Sequence, residues 1–96
     1  VVALSTKKQK EKENEEKLAK AMDILNGVAD NATTPRNIRK TIKDIATSLE
    51  DPEFSISVRA ANAISTLDDL SQDPNMPSYV RVTLWQAVSI LESIRE

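Results

Sequence analysis

Four times along this chain, apolar residues recur at alternating steps of four and three. The first set is Leu18, Met22, Leu25 and Ala29, and the second is Ile38, Ile42, Ile45 and Leu49. The third is Ile56, Ala60, Ala63, Leu67 and Leu70, and the fourth is Val80, Leu84, Ala87, Leu91 and Ile94. A 4-3 rhythm marks one face of an α-helix, whereas a half-buried strand alternates with period two. Between the stretches lie "DNATTP", "EDPE" and "SQDPNMP". These segments are rich in Pro, Asn, Asp and Ser, which punctuate helices. Thr34 is placed to cap the second helix, with Pro35 at its first position, and Pro77 opens the fourth. Short links favour antiparallel neighbours. The expectation is an all-α fold, a four-helix up-and-down bundle, with residues 18–96 as its single domain. Leu25, Ile42, Ile45, Leu67, Leu84 and Leu91 are the expected centre of its core.

The rest of the composition agrees. One glycine in 96 residues is too few for a sheet protein with several tight turns. Three aromatics, Phe54, Tyr79 and Trp85, leave the core to aliphatic side chains. Residues 7–17, "KKQKEKENEEK", read as a solvated helical lead-in, so residues 1–17 stand apart from the domain. The opening "VVALS" is too short for a signal-peptide core. Its lack of an initiator Met suggests that a few residues are cleaved, disordered or vector-derived. No stretch approaches the roughly 20 apolar residues of a membrane span. The location expected from this is cytoplasmic.

Shifted by 42 residues, the chain overlays itself without a gap. Leu25 falls on Leu67, Pro35 on Pro77, Arg39 on Arg81, Thr41 on Thr83 and Leu49 on Leu91. The bundle is therefore expected to be built from two similar helical hairpins. The alternative is a HEAT-like helical repeat pair, for which "VRAANAISTL" has the right flavour. Two repeats are fewer than a solenoid normally needs, which favours the closed bundle. Because Pro-x-x-x-Arg occurs in both halves, Arg39 and Arg81 are expected to serve the fold. Each is placed to reach back to the carbonyls ending the preceding helix, or to Asp30 and Asp73.

The stretch Asp73-Pro74-Asn75-Met76-Pro77, with Arg81, Leu84 and Trp85 after it, resembles a small archaeal family of uncharacterised proteins, family 0147. Pro35-Arg36-Asn37-Ile38-Arg39 and Val58-Arg59-Ala60-Ala61 carry the same resemblance, which covers roughly residues 18–94. It implies a four-helix bundle and an archaeal source. It implies no activity.

Several chemistries lose their usual residues. No Cys means no disulfide, no thiolate metal site and no thiol nucleophile. No His removes the commonest general base and zinc ligand, and the Glu-x-x-His pairs of di-iron bundles. No Gly-rich loop is present to cradle phosphate. No catalytic residue, metal ligand or cofactor is therefore expected. An orphan carboxylate-metal enzyme would have to use Asp68, Asp69 and Asp73, of which the first two follow Leu67 and face water.

Two surfaces remain. Arg36, Arg39, Lys40 and Lys43 make the second helix basic on its polar side, a candidate contact for an anion or RNA. The net charge of −2 and the lack of aromatics for stacking bases argue against it. The fourth helix has no charge between Arg81 and Glu92, although a water-facing helix normally carries some. Tyr79, Val82, Trp85 and Ile90 lie beside its core seam as a candidate interface. The reading is a non-enzymatic module that self-associates through this helix, with the charged first helix as a second candidate, a dimer first. The alternative is an RNA- or ribosome-associated accessory protein. No membrane partner is expected.

Overall fold

The computed structural model describes residues 2–94, with side chains from Gln9 onward. Val1, Arg95 and Glu96, which the expected lead-in and domain include, lie outside the described residues. Four helices follow one another: α1 (Val2–Ala29), α2 (Arg36–Leu49), α3 (Ile56–Ser71) and α4 (Ser78–Glu92). α1 packs on both α2 and α4, and α3 does the same from the opposite corner. The contact between the first and last helices closes the ring. An open HEAT-like pair would lack it, so the fold is the closed four-helix bundle.

Each apolar face turns into one aliphatic core. Leu25, Ile42, Ile45, Leu67, Leu84 and Leu91 are all at most 3 % exposed. Burying each such side chain is worth about 1.5–3 kcal/mol, the main favourable term in so small a molecule. Ala60 and Ala63 are buried on α3, while Ala61 beside them faces out. At one end Met76 closes the core from the α3–α4 connector, and Ile94 adds to the core just past the end of α4.

Two helix starts differ from the sequence expectation by one residue. Pro35 and Pro77 stand outside α2 and α4 as caps, with ψ at 142° and 147°. Proline has no N–H to contribute at either position, so its presence marks a helix start without choosing between cap and first turn. Thr34 is consequently not the cap, and its side chain is buried instead.

α1 is twice as long as α2, 28 residues against 14. At 1.5 Å per residue it spans about 42 Å, while its partners span about 21–24 Å. It runs without a break through the charged stretch 7–17. The Lys17 Nζ donates to the Ser93 carbonyl at 3.0 Å, just beyond the end of α4. Residues ahead of that point form an arm that runs past the end of α4, with Asn14 still buried at its base, and the molecule measures 51 × 24 × 20 Å. No helix among the described residues is long and apolar enough to cross a membrane.

Candidate functional site

The connectors between helices share one design three times. Asn31, Asp51 and Asp73 each accept, through a side-chain oxygen, the N–H two residues on, at 2.8–3.0 Å. Each also accepts through its carbonyl the N–H three residues on, from Thr34, Phe54 and Met76. These side chains substitute for a further helical turn and stop the helix. In α3 the cap is Ser55, whose hydroxyl takes the Val58 N–H. Four residues after each cap comes an arginine: Arg39, Arg59 and Arg81.

Two of these arginines fold back on the preceding helix. Arg81 donates from Nε to the Ser71 carbonyl at 3.1 Å and from Nη2 to the Asp73 carbonyl at 3.5 Å. Arg59 donates from Nη1 to the Leu49 carbonyl at 3.1 Å and from Nε to the Phe54 carbonyl at 2.9 Å. Leu49 and Ser71 are the last residues of α2 and α3, whose carbonyls have no partner inside the helix. A positive charge at that end also suits the helix dipole. Arg39 departs from the pattern: its Nε is buried and unbonded. The carboxylate of Asp30, which Arg39 was expected to reach, instead lies 3.7 Å from Lys43. These arginines therefore belong to the scaffold. The 42-residue frame hid Arg59, because that frame pairs hairpins, whereas the connector recurs at every helix.

The α4 surface lies between two such connectors. Tyr79 is 47 % exposed, Val82 61 % and Trp85 65 %. Ile90 sits on the flank, partly buried against the core. The Tyr79 hydroxyl pairs with Thr33 Oγ1, which ties the start of α4 to the α1–α2 connector. Trp85 borders the crease between α3 and α4, beside Leu67, Asp68 and Arg81. Phe54 and Val58, exposed at the opposite end, form a second and smaller apolar outcrop.

The basic surface is broken up by its own fold. Arg36 and Lys40 face solvent, Arg39 turns inward, and Lys43 faces Asp30. The acidic residues are dispersed too. Asp68 and Asp69 are exposed, while Asp73 is occupied by the connector. Among the described residues, no group of three or more carboxylates is placed to hold a metal ion.

Residues 5–94 match the model of an uncharacterised protein family, UPF0147. A UPF0147 protein from Metallosphaera sedula is 49 % identical over 84 residues, covering 88 % of this chain and 94 % of the relative. One from Aeropyrum pernix is also 49 % identical over 84 residues, with 88 % and 92 % covered. These relatives are archaeal. A crystal structure of MMP1188, a protein of unknown function, superposes with a TM-score of 0.82 at 39 % identity, covering 85 % of this chain and 93 % of that one. An uncharacterised UPF0147 protein from Thermoplasma acidophilum gives a TM-score of 0.81 at 28 % identity, covering 88 % and 99 %. The matched stretch includes the charged arm, which the motif resemblance over residues 18–94 had left out.

Proposed function

The chain belongs to the uncharacterised protein family UPF0147, and on that premise we propose that it is a non-enzymatic assembly module. It associates with copies of itself through the outer face of α4. The observation that carries this is the exposure of Tyr79, Val82 and Trp85 on a helix with no charge from Val82 to Leu91. The centre of an interface is depleted in charge and enriched in Trp and Tyr, and a buried Trp commonly dominates its energetics. A solvated helix face has the opposite character, as the exposed side of α2 illustrates with Arg36, Lys40 and Asp44. The absence of His and Cys from the sequence supports a role without catalysis.

The test is sedimentation at micromolar concentration. The wild type is expected to run heavier than the 10.6 kDa of one chain. At high salt, Val82→Glu combined with Trp85→Glu is expected to shift it toward monomer with helical circular dichroism unchanged, because both side chains are exposed. Ile90 is unsuited to this test, since it packs against the core and a charge there would also disturb the fold. A wild type that remains monomeric at every concentration would refute self-association through α4.

The RNA-binding reading has weaker support, because Arg39 turns inward and Lys43 lies beside Asp30, which leaves Arg36 and Lys40 as the members of the basic set with no carboxylate beside them among the described residues. Nucleic-acid affinity rests on several phosphate contacts acting together. It predicts a salt-sensitive gel shift that Arg36→Glu with Lys40→Glu removes. An absence of any shift at low salt would eliminate it.

A further inference from the structure

The arm of α1 has an ordered charge pattern. Lys7, Lys8, Lys10 and Lys12 come first, and Glu13, Glu15 and Glu16 follow, with Glu11 between them. Residues 7–12 carry a net +3 and residues 13–16 a net −3. About the midpoint between Glu11 and Lys12 the pattern inverts: Lys7 mirrors Glu16, Lys8 mirrors Glu15, and Lys10 mirrors Glu13. The helix itself gives no reason for this order. Lysines toward the N-terminal end oppose the helix dipole, and Lys ahead of Glu is the poorer order for pairs four apart.

The order does suit a second helix of the same sequence running the other way. In an isologous pair the same patch serves both copies, with residue i meeting j and j meeting i. An antiparallel partner sets each basic block against an acidic one, while a parallel partner sets like on like. The arm is available for such a partner. Among the described residues Gln9 to Glu13, Glu15 and Glu16 are exposed. A groove of about 420 Å³ runs beside the arm, bordered by Asn14, Glu15 and Leu18 of α1 and by Ile56 and Arg59 of α3.

We propose that two copies of this chain pair antiparallel through their α1 arms, with a two-fold axis near residues 11–12. Positions 8 and 15, two turns apart along one side of the helix, then lie opposite each other reciprocally across the axis. This pairing uses none of the α4 face and does not rest on the reading above.

The sequence has no Cys, so introduced cysteines report cleanly. In this register Lys8 of one copy and Lys8 of the other are displaced along the axis by about 10 Å, beyond the reach of a disulfide. A mixture of Lys8→Cys and Glu15→Cys proteins is therefore expected to oxidise to a heterodimer, while neither does so alone. The heterodimer should form at about 0.01 M salt and be lost at 1 M, where the screening length has fallen from about 30 Å to about 3 Å. It should persist in a Val82→Glu, Trp85→Glu background, which separates this pairing from association through α4. Reversing Lys7, Lys8, Lys10 and Lys12 to Glu should abolish pairing. Adding a protein with Glu11, Glu13, Glu15 and Glu16 reversed to Lys should restore it as a heterodimer. Crosslinking of Lys8→Cys with itself, no crosslinking in the mixture, insensitivity to salt, or loss in the α4 background would each overturn the proposal.

Discussion

At the scale of single residues, the three connector arginines set up an internal comparison. Arg59 and Arg81 fill carbonyls that α2 and α3 leave open, whereas Arg39 has a buried Nε with no partner. A charged hydrogen bond contributes about 1.5–3 kcal/mol, while an unsatisfied buried donor costs a comparable amount. Arg81→Met is therefore expected to destabilise the fold by about 1–3 kcal/mol, and Arg39→Met by clearly less, in urea unfolding. Equal losses would contradict the geometry. Thr34 supplies a second case, since its Oγ1 is buried and unbonded at the place that Met76 fills in the last connector. Thr34→Val keeps the shape and removes the orphan oxygen. It should raise stability by about 1 kcal/mol, read as a shift of the urea midpoint at unchanged slope.

At the scale of elements, α1 and α4 carry the clearest expectations. Gly27 lies exposed in α1, and a Cβ there meets nothing within 4 Å. Gly27→Ala should therefore stabilise by about 0.5–1 kcal/mol through helix propensity alone. Leu84, at 1 % exposure, anchors α4. Leu84→Ala should cost about 2–5 kcal/mol, and a melting temperature within a degree of wild type would mean that α4 is packed in another register. The four helices were legible in the sequence because the 4-3 step survives in every seam and a proline, Asn or Asp interrupts between seams. Their first residues were less legible: Pro35 and Pro77 satisfy the rules for a cap and for a first turn equally well. The asymmetry of the middle connector was not legible at all. Phe54 and Val58 occupy the positions where Thr34, Ile38, Met76 and Val80 are buried, yet both are exposed. Nothing local in their sequence distinguishes them.

At the scale of the whole molecule, the α4 face and the α1 arm are separate surfaces with different physics. Association through α4 is apolar, so its sedimentation coefficient should change little with salt. Pairing through the arm is electrostatic and should weaken as salt rises. Sedimentation of the wild type across ionic strength, beside the Val82→Glu, Trp85→Glu protein, resolves the two contributions. The candidate face itself was half visible beforehand. Tyr79, Val82 and Trp85 stood outside the seam by their spacing, and the structure leaves them exposed, while Ile90 turns toward the core. The basic set on α2 was less visible. Spacing puts Arg36, Arg39, Lys40 and Lys43 within two turns of one helix, but the inward turn of Arg39 and the approach of Asp30 to Lys43 depend on another helix. By itself the sequence determined the number of helices, the side of each that is buried, and the near-repeat of its two halves. Those properties follow from periodicity and punctuation, which act within a few residues. Only the tertiary structure decided that the ring closes, that α1 overshoots it, and which flanking side chains are covered. Those depend on which helices become neighbours, and the free energy that selects neighbours comes from burial shared among all four.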